Sequence, residues 1–201
     1  MAVVVEIPRP ESVDNKRLAQ AFAETAQKFQ GIDGLQRKYF TFTERSFGGV
    51  YLWSNRAEAD DFFSEEWKSR METTYGAPAS LTWFEVVEEL ESAAFGNAGS
   101  QAIVSVVRVS APWYAPSGVI RDRMSKALPE YANIPGLDYK YFTIASGKKV
   151  GGIYLWESKD AALNFFSDEW YQRIQDQYGE PATLQFFSSP VTILDGQIKA
   201  N

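Results

Sequence analysis

Runs of β-branched apolar residues open both halves of the chain. Val3 to Ile7 and Ile103 to Val109 read as strands, closed by Pro8 and Pro10 in the first case and by Pro112 in the second. Behind Asp14, a plausible N-cap, Leu18, Phe22, Thr25-Ala26 and Phe29 recur at helical spacing. This predicts a helix to about Phe29. In the second half Pro129 should shorten or kink the equivalent helix. Gly34 and Gly136 then open strands through Thr41 and Thr143, and the double glycines Gly48-Gly49 and Gly151-Gly152 open strands ending at Trp53 and Trp156. Each pair reads as a hairpin. Within the later strand Val50 and Leu52 face one way, Tyr51 and Trp53 the other. A single helix from about Arg56 to Thr74 follows. Its stripe is Ala59, Phe63, Trp67 and Met71, matched by Leu163, Phe166, Trp170 and Ile174. Gly76 and Gly179 stand where a left-handed C-cap belongs, with Pro78 and Pro181 beyond. A fourth strand runs from about Leu81 to Val87, and from Leu184 to Ile193.

The letters repeat along with the pattern. Gly34-Leu-Gln-Arg-Lys-Tyr-Phe-Thr41 aligns with Gly136-Leu-Asp-Tyr-Lys-Tyr-Phe-Thr143, and Gly48-Gly-Val-Tyr-Leu-Trp53 with Gly151-Gly-Ile-Tyr-Leu-Trp156. Phe62-Phe-Ser-Glu-Glu-Trp67 aligns with Phe165-Phe-Ser-Asp-Glu-Trp170. From Gly34 to Phe84 roughly half the aligned positions are identical, which marks an internal duplication. Upstream, Leu18, Phe22, Phe29 and Ile32 fall opposite Ile120, Met124, Tyr131 and Ile134. The order is β-α-β-β-α-β twice, the ferredoxin-like split βαβ unit of the α+β class. We assign repeats to residues 1–91 and 101–201, with the Ala-Gly-Ser-rich stretch 92–100 as linker. One such sheet leaves an apolar face uncovered, and a second copy on the same chain supplies the cover. The expected architecture is a pseudo-twofold α+β barrel made by one chain, a monomer or weak homodimer.

Composition narrows the chemistry. The 201 residues carry a net charge of -6 and show no basic face, so no nucleic-acid partner is expected. There is no cysteine and no histidine. Thiolate and Ser-His-Asp catalysis are excluded, as are histidine-held zinc, non-haem iron and haem; we expect no metal and no cofactor. The absence of cysteine fits a reducing cytoplasm. The N-terminal Met-Ala-Val-Val-Val-Glu lacks a basic flank and reads as a strand, not a signal peptide. No segment approaches the roughly 18–20 apolar residues that span a bilayer, so no membrane partner is expected. Aromatic content is 15%, enough for a pocket with flat apolar walls.

Gly-Leu-x-x-Lys-x-Phe-Thr followed by Gly-Gly-Ile/Val-Tyr-Leu-aromatic resembles the YdhR-like monooxygenase family of the dimeric α+β barrel superfamily, alongside the antibiotic-biosynthesis monooxygenases. The resemblance covers nearly all of each repeat. Family members are usually single units that pair, whereas this chain carries both units, and it has Trp53 and Trp156 where the family strand ends in Phe. The resemblance implies the barrel. It also implies a cofactor-independent oxygenase: an aromatic substrate, once deprotonated, reduces dioxygen itself.

Candidate residues occur in matched pairs. Lys38 and Lys140 lie inside apolar strands, where burial favours the neutral, basic amine; each could serve as base or anion holder, or form a structural ion pair. Tyr51 and Tyr154 could supply phenolic hydrogen bonds at a catalytic centre. Trp53 and Trp156, with Tyr39 and Tyr141, could line a substrate pocket or pack between strands. Trp67 and Trp170 sit on the helix stripe as core or ligand wall. Arg70 and Arg173 lie four residues after Glu66 and Glu169. They could form helix pairs worth about 0.2–0.5 kcal/mol each, or turn inward to hold a substrate oxyanion. Trp113 and Tyr114 occur only in the second copy, as a lid or an edge cover. Three functions stand open: a monooxygenase-like enzyme (or a related isomerase or cyclase) acting on a small apolar or aromatic compound, a non-catalytic binding protein with the same pocket, or a structural domain. A pocket holding a lysine of perturbed pKa favours the first.

Overall fold

The computed structural model describes residues 1–93 and 102–200. The elements run β1 (Ala2–Pro8), α1 (Asn15–Ala26), β2 (Leu35–Phe42), β3 (Ser46–Trp53), α2 (Arg56–Phe62), α3 (Glu65–Tyr75) and β4 (Ser80–Glu91). The second copy follows as β5 (Ile103–Ser110), α4 (Ser117–Tyr131), β6 (Leu137–Ala145), β7 (Lys149–Trp156), α5 (Lys159–Phe165), α6 (Asp168–Tyr178), β8 (Thr183–Leu194) and β9 (Gln197–Ala200). The hydrogen-bonded strand order is β2-β3-β1-β4-β6-β7-β5-β8-β9, with β2 also bonded to β8. The eight main strands thus form a closed cycle of pairings, the α+β barrel topology that two split βαβ copies predict. The stretch expected as linker, 92–100, lies outside the described residues apart from its first two positions.

The chain divides into two compact units, Met1–Trp83 with Ser188–Asn201, and Phe84–Phe187. These divisions differ from the sequence repeats because two long strands are shared. β4 leaves the first unit after Trp83 and pairs antiparallel with β6 from Phe84 to Glu91. β8 leaves the second after Phe187 and pairs with β2, from Phe42↔Ser188 to Arg37↔Leu194.

In the first unit β3 is central, bonded to β1 and β2. Asp14 caps α1, its side chain accepting from Arg17 N at 2.8 Å. The α1 stripe buries Leu18, Phe22 and Ala26 against Ile7, Phe40, Phe42 and Phe47. The double glycine has a steric cause: a Cβ at Gly48 would lie 2.1 Å from the Val5 carbonyl oxygen, and one at Gly151 2.0 Å from that of Val107.

Four local expectations need correction. The helix expected over 56–74 is two helices. It breaks at Phe63 (φ -88, ψ 42), and Ser64 restarts it by accepting from Trp67 N at 3.3 Å. Phe166 and Ser167 repeat the break. Leu163 is 47% exposed; Ala162, fully buried, holds its place in the stripe as Ala59 does in the first copy. Pro129 does not shorten its helix: it lies in the last turn of α4, whose 15 residues cover the span that α1 and the 3₁₀ turn Gln27–Phe29 cover in the first copy. Finally β9 extends the sheet. Asp195 and Gly196, both at positive φ (48° and 78°), turn the chain back so that Leu194 pairs with Gln197.

Candidate functional site

The first unit encloses a cavity of ≈ 640 Å³ between the strand face and its helices. That size falls within the range of about 300–1,000 Å³ usual for small-molecule sites. Register sets its floor. Lys38 stands opposite Tyr51, Phe40 opposite Gly49, and Tyr51 in turn opposite Val3, so these side chains share one face. Gly49 keeps that face low; a Cβ there would meet Lys38 Cε at 3.3 Å. Helices supply the walls through Leu18, Phe22, Phe29, Phe62, Trp67 and Met71. The break before α3 turns both Phe62 and Phe63 inward, their rings 4.9 Å apart edge to face; Phe62 lines the cavity and Phe63 packs on Tyr51 at 5.1 Å.

Lys38 is the polar centre. Its residue is 2% exposed, yet its Nζ lies 3.0 Å from the Phe29 ring centroid, 3.9 Å from Phe40 and 4.4 Å from Tyr51. Among the described residues no hydrogen-bond or ion-pair partner meets it. Burial pushes its pKa well below the ordinary 10.5. The three rings work the other way, since a desolvated cation–π contact is worth up to about 2 kcal/mol. Burial prevails, and the rings lower the cost of the charge whenever a proton arrives. The Tyr51 phenol is held above its ordinary pKa by burial and then by the nearby Tyr75 phenol, so it stays a donor.

The second unit repeats the frame with different polar partners. Lys140 Nζ lies 2.9 Å from the Tyr131 ring centroid, 3.9 Å from Phe142 and 4.7 Å from Tyr154. Burial again lowers its pKa well below 10.5, but here the field of Glu130 opposes the shift. Tyr131, in the place of Phe29, sets its ring 6.3 Å from that of Tyr154 (centroid to centroid), and the two phenols influence each other's protonation. Burial raises both phenols most; the Arg173 guanidinium pulls Tyr131 partly back.

Lys38, Tyr51, Trp67 and Arg70 line the cavity. Tyr39 and Trp53 do not: Tyr39 alternates to the opposite strand face, and Trp53 is buried against Phe62 and Phe63. Lys140, Tyr154 and Trp170 take positions equivalent to Lys38, Tyr51 and Trp67, while Tyr141 and Trp156 are fully buried like Tyr39 and Trp53. Trp156 Nε1 donates to Ser105 Oγ at 2.9 Å, whereas Trp53 Nε1 finds no partner because Val3 stands where Ser105 does. The Glu66–Arg70 and Glu169–Arg173 pairs do not form among the described residues. Trp113 and Tyr114 are 85% and 71% exposed, stacked edge to face on each other at 5.8 Å. Sequence reasoning missed Phe29 and Phe40, which cage the lysine, and Arg17 and Lys28, which line the mouth. The Lys38-x-Phe40 spacing marks two residues on one strand face and could have found Phe40. Among the described residues no group of three or more Asp or Glu side chains could hold a metal, and no helix is long and apolar enough to cross a membrane.

Fold and cavity together define a duplicated ferredoxin-like α+β protein with an aromatic-walled cavity in its first unit. No family model and no curated protein sequence matches the chain. Solved structures do. A "putative monooxygenase" from Fusobacterium nucleatum aligns over 100% of this chain and 94% of its own, at TM-score 0.64 and 10% identity. An anthrone oxidase-like protein covers 98% and 94%, at 0.61 and 15%. A Listeria monocytogenes ferredoxin-fold protein related to antibiotic biosynthesis monooxygenases covers 94% and 94%, at 0.53 and 11%. At such identities the likeness establishes the fold.

Proposed function

We propose that the first unit binds a flat, electron-rich aromatic molecule and that Lys38 removes a proton from its acidic C–H, letting the anion react with dioxygen without a bound cofactor. The observation that carries this reading is a buried, unpaired lysine amine caged by three rings on the wall of an aromatic cavity. The likeness to an anthrone oxidase-like protein supports the substrate class.

The steps balance. A substrate methylene gives one proton to neutral Lys38, leaving a carbanion delocalised over the rings. The carbanion passes one electron to dioxygen, and the two radicals combine into a C–O bond. Lys38 returns its proton to the peroxide. Loss of water then breaks the O–O bond and the remaining C–H bond, giving a carbonyl. Methylene plus dioxygen has become ketone plus water, with the substrate as reductant. While the carbanion exists, its charge pairs with the lysinium and raises the amine's proton affinity. Tyr51, held protonated, donates to the developing oxyanion. Lacking cysteine, the chain suits a reducing cytoplasm, where we place it as a monomer or weak homodimer.

Binding without turnover is the second reading, favoured by the small number of polar groups on the cavity floor. One experiment separates the two. Anthrone is supplied and dioxygen uptake followed for the full chain, for Lys38→Met and for Lys38→Arg. We expect one dioxygen per ketone formed and a loss of about 100-fold or more in Lys38→Met. Undiminished turnover in Lys38→Met refutes the lysine's role; saturable binding with no uptake leaves the binding protein.

A further inference from the structure

The chain is acidic overall, with 26 Asp and Glu against 20 Lys and Arg. The first unit's cavity reverses that balance. Arg17, Lys28, Lys38 and Arg70 line it, and no Asp or Glu does. Glu24, Glu66 and Glu72 lie on the same two helices or their turns but do not line it. Arg17, Lys28 and Arg70 are exposed, and among the described residues none forms an ion pair. Arg17 and Lys28 come from the α1 side and Arg70 from α3, so cations from two sides flank one opening whose interior is aromatic. The second copy does not keep this ring. By the repeat alignment Arg17 becomes Val119 and Lys28 becomes Glu130; of the three, only Arg70 retains its charge, as Arg173.

Resting on the aromatic-site reading above, we infer that the ligand of the first unit is an amphipathic organic anion: an aromatic body seated beside Lys38, carrying a carboxylate or similar acid group that meets Arg17, Lys28 and Arg70 at the mouth. Three unpaired cations around a concave apolar site raise the local concentration of such an anion and orient it, acid group outward. The reacting end of the body is thereby turned towards Lys38. A neutral aromatic compound gains the cavity's apolar contacts but not this orientation.

Two fluorescent probes share one body and differ by one charge: 8-anilinonaphthalene-1-sulfonate, an anion, and N-phenyl-1-naphthylamine, its neutral counterpart. Both are titrated into the full chain, into Arg17→Gln/Lys28→Gln/Arg70→Gln, and into Lys16→Gln/Arg45→Gln/Lys68→Gln, which removes equal charge outside the cavity. All six positions are exposed or at the surface, and circular dichroism checks that each variant is folded. Exposed ion pairs are modest, so the mouth variant should weaken the anionic probe about tenfold and the neutral probe less than about twofold. The outer variant should change neither. Added salt should erase the anion's advantage in the full chain. Neutral-probe binding with no preference for the anion overturns this inference alone, as does an equal loss in the outer variant. Failure of the neutral probe to bind the full chain overturns the aromatic-site reading, and this inference with it. Displacement of the anion by decanoate but not by 2-naphthoate assigns the site to aliphatic acids and overturns the aromatic body.

Discussion

The two copies keep one frame and spend its polar groups differently. In the second unit the lysine feels Glu130, Tyr154 feels Tyr131, Tyr131 feels Arg173, and Trp156 bonds to Ser105. In the first, burial alone lowers the Lys38 pKa, Tyr51 feels only Tyr75, and Trp53 Nε1 is buried unpaired. Duplication holds the backbone constant, so the contrast isolates what a few side chains do. Phe29 against Tyr131 and Lys28 against Glu130 separate a lysine that has only rings about it from one that also feels a carboxylate and a neighbouring phenol pair. Both differences sit at the end of the first helix in each copy. The proline-rich segments before those helices also differ, and Pro10 and Val13 of the first line the cavity.

The shared frame should fail alike in both copies. Gly48→Val and Gly151→Val each drive a Cβ into a backbone carbonyl. Each should cost more than about 4 kcal/mol or abolish folding, read by urea unfolding. Tolerance of one and not the other breaks the premise that the frames are equal. Next in size is the lysine pair. Lys38→Met should stabilise the protein, on the order of 3 kcal/mol, by removing a buried donor without a partner. The sign with pH follows from the lowered folded pKa. Between that value and the ordinary 10.5, the unfolded chain holds a proton the folded chain lacks, so native stability falls as pH falls through this window. Lys38→Met should flatten that slope. Lys140→Met should gain less, since Glu130 already supports the charge there. Equal gains and equal slopes in urea titrations across pH would erase the distinction. Smallest is the tryptophan pair. Ser105→Val strands Trp156 Nε1 and should cost about 1–2 kcal/mol, whereas Val3→Ser offers Trp53 Nε1 a partner and should be near neutral. A comparable loss from both would mean that strand packing, not the hydrogen bond, sets the difference.

Much of the frame is legible in the sequence because backbone needs leave letters. Gly48 and Gly151 are required by a carbonyl about 2 Å from where a Cβ would lie, and Gly76 and Gly179 by left-handed caps. The helix break is less visible. Ala59, Phe63, Trp67 and Met71 continue the helical period straight across it, so apolar spacing alone reads one helix. The signal against it is Ser64 followed by Glu65 and Glu66, a capping serine with acids in the first turn, which Ser167-Asp168-Glu169 repeats. Asp195-Gly196 likewise announced the last hairpin. In the site, alternation places Lys38 and Tyr51 on one face, and recurrence draws attention to both. It also overvalues Trp53, Trp156, Tyr39 and Tyr141, since packing conserves large side chains between copies as firmly as binding would. Arg17 and Lys28 could not be picked out. An exposed cation on a helix follows no period that distinguishes a cavity mouth from open solvent.

The crossing of β4 and β8 between units sets an order of completion. Residues 84–187 are contiguous, so the second unit has all its parts as soon as Phe187 is made. The unit that begins first, and carries the cavity, lacks the strand beside β2 until residues 188–194 follow. A chain interrupted after Phe187 therefore loses a neighbour of Lys38's own strand, where Lys38 pairs with Ile193, although the break lies some 150 positions away in sequence.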